Sequence, residues 1–242
     1  MSATYEDYSK MIDHSLLMPT MDVRQLEEGC QLAVAYNVAS VCIMPYYLKR
    51  CAEILSGSTV QPSTTIGFPH GGHTTVMKQR EAEIAVADGC QELDMVVNIS
   101  QVLSGEWDYV TQDIKAVIDI AHAADRKVKV IFENCYLNDE QKIRLCKICT
   151  ELQADWVKTS TGYGTGGATM EDLQLMVDNV GEGIQVKAAG GVRDFETLKK
   201  VKDLGVTRCG ASKTQPMMDG ARVALGLDAI TFEATGGASS GY

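Results

Sequence analysis

The sequence has no long apolar run and carries few basic residues. No stretch reaches the roughly 20 consecutive apolar residues that a membrane-spanning helix needs. It has 22 lysines and arginines against 32 aspartates and glutamates, for a formal net charge of −10. This acidic balance disfavours a general nucleic-acid or anionic-membrane surface. The N-terminal segment MSATYEDYSKMIDHSLL also lacks the basic and apolar regions of a secretory signal. We therefore expect a cytoplasmic protein that binds neither nucleic acid nor membranes.

Metal-binding and nucleotide-binding motifs are also scarce. Cys146 and Cys149 form a C-x-x-C pair, but the pair lies in a segment with helical periodicity and has no second pair to complete a zinc site. His70 and His73 flank two glycines in the segment FPHGGH, and no third ligand lies nearby in the sequence. No Walker loop, no H-E-x-x-H, no G-x-S-x-G and no G-x-G-x-x-G after an early strand segment is present. We expect no metal site and reduced, mostly structural cysteines.

Short apolar segments alternate with longer amphipathic segments along the whole chain. The short segments predict strands at 12–17, 38–44, 63–68, 92–98, 128–133, 155–160, 184–190 and 207–211. Most of the longer segments begin near Thr, Asp or Asn and several end at Gly, as helices do. Strands that alternate with helices form a parallel sheet, and eight of them predict a (β/α)8 TIM barrel. The alternative within the α/β class is a doubly wound open sheet.

The chain shows no internal linker, low-complexity block or charge run that would mark a second domain. We therefore expect a single barrel domain over residues 1–230. The last residues, EATGGASSGY, are small and polar, which predicts a flexible C-terminal tail over residues 231–242.

Two lysines lie at matching strand ends. Lys158 follows two apolar residues in DWVKTS, and Lys187 holds the corresponding place in IQVKAAG. Neighbouring strands lie about 4.8 Å apart, so the two ammonium groups can approach each other. A second cation and burial both depress the pKa of a lysine, and a neutral amine is what Schiff-base chemistry needs. The alternative is that each lysine forms a structural salt bridge.

Further polar residues lie within apolar strand segments. Asp94 in ELDMVVN needs a partner when buried, and it is suited to balancing the lysines and moving protons. Lys129 and Glu133 share one face by the two-residue period of a strand. They form either a buried pair or part of the same polar network. His14, beside Asp13, is expected to line the barrel from the first strand.

Glycine-rich turns follow the last three strand segments: TGYGTGG, AGGVRD and GASKT. TIM barrels frequently bind phosphate in the loops after strands seven and eight. Gly190 and Gly191 allow backbone N–H groups to approach an anion, and the next helix adds its N-terminal dipole. Arg193, Ser212 and Lys213 supply further donors. These turns predict a phosphate site.

Taken together, the segments IDHSLL, ELDMVVNIS, KVIFENCYL, WVKTSTGYGTGGAT and VKAAGGVRD resemble the deoxyribose-phosphate aldolases. The resemblance extends from about residue 11 to residue 225. It implies a class I aldolase on a TIM barrel that reversibly cleaves 2-deoxy-D-ribose 5-phosphate to acetaldehyde and D-glyceraldehyde 3-phosphate through a lysine Schiff base. It further implies that no metal or organic cofactor is needed, and that the chain forms a homodimer or homotetramer.

The resemblance also assigns roles to single residues. Lys158 forms the Schiff base, Lys187 lowers its pKa, and Asp94 takes part in proton transfer. Tyr242 at the C-terminus assists proton abstraction, as in some members of the family. The implied substrate-binding residues are Thr161 beside the Schiff base, Cys42 near the aldehyde pocket, and Gly162, Gly190, Gly191, Ser212 and Lys213 around the phosphate.

Two positions depart from the family pattern and leave the acceptor aldehyde open. Asn134 stands where a threonine is expected, and Lys213 stands where a second small hydroxyl residue is expected. A related class I aldolase with a different acceptor therefore remains an alternative. A phosphosugar isomerase or epimerase is another, with Glu133 as its base. A metal-dependent aldolase would need three clustered ligands, and a sugar-phosphate sensor would not need Lys158.

Overall fold

The structure is a computed structural model that describes residues 3–232, and eight parallel strands form its centre. The strands are β1 (Ile12–Leu16), β2 (Ser40–Ile43), β3 (Gln61–Ile66), β4 (Glu92–Val96), β5 (Lys127–Ile131), β6 (Trp156–Lys158), β7 (Gln185–Ala189) and β8 (Arg208–Ala211). Each strand pairs with the next, and β8 pairs with β1, so the sheet is a closed barrel. This closure confirms the predicted TIM barrel and excludes the open sheet.

Helices surround the barrel. Within residues 3–232 they are α1 (Glu6–Ser9), α2 (Val23–Ala35), α3 (Leu48–Leu55), α4 (Thr75–Ala87), α5 (Ile99–Ser104), α6 (Trp107–Ala123), α7 (Asp139–Glu151), α8 (Met170–Asn179), α9 (Phe195–Asp203) and α10 (Thr214–Ala224). Short 3-10 turns lie at Pro45–Tyr47 and Asn134–Tyr136. Among the described residues, no helix is long and apolar enough to cross a membrane.

The longer amphipathic segments of the sequence predicted α2, α4, α6, α7, α8 and α9. Asp22 and Asn138 each form a capping box with the glutamine three residues later, and these caps begin α2 and α7. Four of the described helices, α1, α3, α5 and α10, were not predicted. The first three have four, eight and six residues, which is short for a periodic apolar pattern, and no side chain caps the start of α10.

Each strand directs alternate side chains outward to the helices and inward to the barrel. In β4, Leu93 and Met95 belong to the hydrophobic core that includes the helices. Glu92 and Asp94 instead contact Lys129 of β5 inside the barrel. The apolar layer between strands and helices thus encloses a strongly charged barrel interior.

This alternation corrects two predictions. His14 does not line the barrel, because its neighbour Asp13 points inward; the His14 ring instead lies 2.8 Å from the hydroxyl of Thr214 in α10. Of the two possibilities for Lys129 and Glu133, the buried pair does not form. Lys129 joins the polar network around Asp94, whereas Glu133 contacts Thr161. The strand ends at residue 131, and Glu133 has a φ of +58°, which takes its side chain out of the register of Lys129.

The last described residues still pack against the rest of the protein. Ile230 and Phe232 both pack against the hydrophobic core. The predicted tail at 231–242, with Tyr242, lies almost entirely outside the described residues.

Candidate active site

A cavity of about 300 Å³ opens at the carboxyl ends of the strands. This is the end of a TIM barrel at which active sites occur. Lys158, the last residue of β6, and Lys187, in the middle of β7, both line the cavity. Its remaining walls come from strands β1, β2, β7 and β8 and from the segments that follow β1, β6, β7 and β8. These residues are Asp13, Ser15, Leu17, Cys42, Thr161, Gly162, Gly164, Thr165, Gly166, Gly167, Ala189, Gly190, Gly191, Val192, Arg193, Gly210, Ser212 and Lys213.

A single carboxylate oxygen joins the two lysines. Lys158 lies directly opposite Lys187 in the register of β6 and β7. Asp94 Oδ2 accepts a hydrogen bond from Lys158 Nζ at 2.6 Å and one from Lys187 Nζ at 2.7 Å. The three residues that the sequence placed at strand positions are thus in direct contact. Asp94 does not line the cavity; it lies beneath the two lysines, fully buried.

The two lysines differ in their electrostatic surroundings. Burial lowers the pKa of Lys158; Asp94 opposes this effect and the ammonium of Lys187 adds to it. Burial also acts against the charge of Lys187, but the carboxylates of Asp13 and Asp94 outweigh it and raise its pKa. Lys158 is therefore the better nucleophile and Lys187 stays charged.

Asp13 is an important residue that the sequence analysis did not select. Its Oδ2 lies 2.6 Å from Lys187 Nζ, which also contacts Asp94. Burial raises the pKa of this carboxyl, but Lys187, Arg208 and Lys129 together hold it far below its usual range. The signal was the alternation in IDHSL, which places Asp13 and not His14 on the barrel side.

Thr161 is oriented by Glu133 at the rim of the cavity. Both the backbone N–H and the hydroxyl of Thr161 donate to the Glu133 carboxylate. The same hydroxyl oxygen accepts from the backbone N–H of Tyr163 at 3.0 Å. Because its one proton is given to Glu133, the Thr161 hydroxyl presents an acceptor to the cavity. Glu133 itself does not line the cavity, although an isomerase would need it there as a base.

Cys42 lines the cavity from β2. Burial, with the nearby carboxylate of Asp94, raises the pKa of its thiol in spite of the surrounding lysines. The side chain therefore stays protonated at neutral pH. It forms a small, polarizable part of the wall and is not a strong nucleophile in this state.

The loops after β6 and β7 pack backbone against backbone. The backbone N–H of Ala168 donates to the carbonyls of Ala189 and Gly190. A Cβ atom on Gly167 would lie 2.7 Å from the carbonyl carbon of Gly190, so this contact requires glycine. Gly190 and Gly191 have φ values of +73° and +88°, which favour glycine as well. This tight turn brings main-chain groups to the cavity wall.

Charged and hydroxyl donors complete this side of the cavity. Arg193, Ser212 and Lys213 all line it, and the two charged residues are exposed at its mouth. The predicted phosphate residues Gly162, Gly190, Gly191, Ser212 and Lys213 thus line the same cavity as Lys158.

The comparisons with known proteins agree with this geometry. Residues 8–230 match the model of the DeoC/LacD family aldolases. The chain belongs to this aldolase family. A deoxyribose-phosphate aldolase of Rhodopirellula baltica is 66% identical over 238 residues, which cover 98% of each chain. A deoxyribose-phosphate aldolase of Clostridium perfringens is 45% identical and covers 89% of this chain and 96% of its own.

Solved structures show the same barrel. A Coccidioides immitis protein assigned to the deoxyribose-phosphate aldolases has a TM-score of 0.87 at 34% identity, over 92% of this aldolase and 88% of its own chain. The deoxyribose phosphate aldolase of Aeropyrum pernix, described as a tetramer, has a TM-score of 0.83 at 24% identity, which shows likeness of fold.

The two departures from the family pattern lie in different places in this aldolase. Asn134 is buried and donates its side-chain amide to the sulfur of Met176 in α8, and it is not part of the cavity wall. Lys213 does line the cavity. Any change in the preferred acceptor aldehyde is therefore to be sought at Lys213.

Proposed function

We propose that this chain reversibly cleaves 2-deoxy-D-ribose 5-phosphate to acetaldehyde and D-glyceraldehyde 3-phosphate through a Schiff base on Lys158. The observation that carries the proposal is the position of Lys158: a buried amine of lowered pKa on the wall of a cavity, opposite a second lysine. Family membership and the 66% identity to a deoxyribose-phosphate aldolase support the choice of substrate.

The reaction begins at the amine. Neutral Lys158 Nζ attacks the C1 carbonyl carbon of the open-chain sugar, and loss of water leaves a protonated imine. The C3 hydroxyl loses its proton, the C2–C3 bond breaks, and its electron pair moves into an enamine. Glyceraldehyde 3-phosphate leaves. Protonation at C2 and hydrolysis then release acetaldehyde and free the lysine.

The surrounding groups handle charge and protons in this proposal. Lys187 keeps the pKa of Lys158 low through its positive charge, and it is a proton donor at the cavity wall. Asp94 Oδ2 contacts both ammonium groups, which gives a proton path between them. The acceptor face of the Thr161 hydroxyl is suited to a substrate hydroxyl. Tyr242, outside the described residues, is proposed to assist the proton step at C2.

The glycine turns are proposed to bind the phosphate. Main-chain N–H groups at Gly190 and Gly191 and the start of α9 favour an anion, and Arg193 and Lys213 add positive charge. A related class I aldolase with another acceptor is the one variation that the site itself suggests, because Lys213 lies on the cavity wall.

The direct test is to trap the imine. The protein is incubated with acetaldehyde, reduced with borohydride and mapped by peptide mass spectrometry. We expect an N-ethyl group on Lys158, and no adduct at Lys78, which is also buried but lies outside the cavity lining. An adduct on another lysine reassigns the nucleophile, and no adduct in the folded protein refutes the mechanism.

The same proposal extends to assembly and compartment. All eight cysteines are free thiols, which supports a reducing, cytoplasmic compartment. The ligands are small aldehydes and sugar phosphates, and neither nucleic acid nor membrane is a partner. A homodimer or homotetramer is proposed from the family, and light scattering of the full chain distinguishes the two.

A further inference from the structure

The barrel interior holds a continuous network of ion pairs. Within the described residues it joins seven charged side chains by nitrogen–oxygen distances of 3.7 Å or less. The carboxylates are Asp13, Glu92 and Asp94, and the cations are Lys129, Lys158, Lys187 and Arg208. Every member has a nearly buried side chain, and Arg208 is the most exposed at 14%. The net charge of such a network is costly to change.

The four cations are not equivalent. Lys187 contacts both Asp13 and Asp94, and Arg208 contacts both Asp13 and Glu92. Lys129 likewise contacts several carboxylates. Lys158 contacts Asp94 alone, and that carboxylate already serves two other lysines. Three carboxylates balance three cations, so Lys158 is the surplus cation, and the network is neutral when Lys158 has lost its proton.

Arg208 and Glu92 contribute to the charge balance of the network, but they lie at the opposite end of the strands from the cavity. They are the first residues of β8 and β4, at the amino end of the barrel, and neither lines the cavity. Their side chains form a two-pronged ion pair, with Arg208 nitrogens 2.8 and 3.1 Å from the two carboxylate oxygens. The Arg208 guanidinium also lies over the ring of Trp156 at 4.8 Å. Residues at this end of a TIM barrel are usually assigned to stability alone.

We propose that Arg208 and Glu92 are positioning residues that set the protonation state of Lys158 by fixing the net charge of the buried network. The inference rests on the proposed Schiff-base role of Lys158. The titratable groups that face Lys158 are Asp94 from β4, Lys187 from β7 and Cys42 from β2. Arg208 and Glu92 act on it through Asp13, Lys187, Lys129 and Asp94, and not by contact.

Two opposite substitutions test the idea. Arg208→Met removes a positive charge, so the network retains a proton on Lys158 and imine formation shifts to higher pH. Glu92→Gln removes a negative charge, so Lys158 loses its proton more readily and imine formation shifts to lower pH. Each shift is expected to be about one pH unit, the effect of a unit charge about 10 Å away at an effective dielectric constant of about 20. In the double variant Glu92→Gln/Arg208→Met the two charge changes cancel, so the midpoint pH of imine formation is expected to return close to that of the unsubstituted protein.

The readout is the rate of imine formation with acetaldehyde as a function of pH, measured by quenching timed samples into borohydride and quantifying the adduct on Lys158. Arg208→Lys preserves the charge while altering the two-pronged contact, and it is expected to keep the original midpoint. Arg80→Met removes a surface charge that pairs only with exposed Glu83 among the described ion pairs, and it is the external control.

The outcomes separate this inference from the function on which it rests. If the unsubstituted protein forms no adduct on Lys158, the proposed function fails first. If it forms the adduct but the two single variants shift the midpoint in the same direction, or not at all, the charge-balance role is wrong. If Arg208→Met does not fold, the proposal still requires that Glu92→Gln lowers the midpoint pH of imine formation. The absence of that shift overturns the proposal.

Discussion

The barrel interior and the helix layer each contain a buried lysine with a lowered pKa. Lys158 lies in the barrel, and Lys78 of α4 lies between the strands and α6. Burial is the largest cause of the lowered pKa in both. Lys78 Nζ contacts Asp113 at 2.5 Å and the carbonyl of Val96 at 2.9 Å, and the carboxylate of Asp113 also accepts from Thr75.

The comparison shows that a lowered pKa does not identify a nucleophile by itself. Lys78 and Asp113 form a closed pair, each with a second hydrogen-bond partner, and Lys78 does not line the active-site cavity. Lys158 shares its only carboxylate with two other lysines and lines a cavity. Access and surplus positive charge distinguish a reactive amine from a structural one, which is why perturbed groups point to function only in context.

The largest expected effect comes from removing the two lysines one at a time. Lys158→Ala is expected to lower kcat by about 10⁴-fold or more, on the scale of losing a covalent nucleophile, while circular dichroism shows an intact fold. Lys78→Met is expected to keep kcat within a few-fold at a temperature where it is folded. Turnover retained in Lys158→Ala, or lost in folded Lys78→Met, would contradict the assignment of one lysine as reactive and the other as structural.

Lys187→Leu addresses the feature that Lys78 lacks, a second ammonium group nearby. Without it Lys158 holds its proton more firmly, so kcat/KM is expected to fall by about 10²-fold at neutral pH and to recover partly as the pH rises. The measurement is a pH–rate profile of cleavage. An unchanged profile and rate would remove Lys187 from the proposed mechanism.

Lys78→Met also tests how much the buried ion pair with Asp113 contributes to stability. It leaves Asp113 buried without its cation, and the free energy of unfolding is expected to fall by about 3–5 kcal/mol in urea titrations. The double variant Lys78→Met/Asp113→Leu removes both charges and is expected to recover most of this loss. Lys115→Met breaks an exposed pair with Asp119 and is the control, with a change within about 1 kcal/mol.

His14 is a third buried titratable group, and it is expected to have the smallest effect, on the pH dependence of the unfolding free energy. Burial lowers its pKa from 6.5 to about 4, so the folded protein keeps the ring neutral. Its stabilising contribution is present above pH 6.5 and is lost as the pH falls toward 4. This linkage amounts to about 2 kcal/mol between about pH 7.5 and about pH 5.

We therefore expect the unfolding free energy of His14→Gln to depend less on pH over that range than the free energy of the unsubstituted protein. The measurement is urea unfolding at both pH values. His70→Gln, at an exposed loop position, is the matched control and is expected to retain the full pH dependence. Equal pH dependence in all three proteins would show that His14 is not the group responsible.

Much of the active site was predictable because strand position alone fixes where a side chain points. Lys158, Lys187 and Asp94 stand out in the sequence as charges inside apolar strands, and a parallel barrel brings the ends of such strands together. The glycine turns were equally visible. The prediction for His14 was wrong by one residue, and in a strand one residue reverses the face. For Lys129 the polar-network possibility was right, but Glu133 does not share its face, because a strand end and a positive φ are not visible in a polar pattern.

The α/β class, the eight strands and the two lysines of the site could be read from the sequence, since these follow from periodicity and from local residue types. The tertiary structure showed that the sheet closes into a barrel and which buried charges are paired. Lys78 reads as an ordinary helix-surface lysine and is fully enclosed, and Arg208 and Glu92 meet across the barrel although 116 positions separate them in the chain. The physical reason is that burial and ion pairing depend on groups brought together from distant strands, and no local pattern records those contacts.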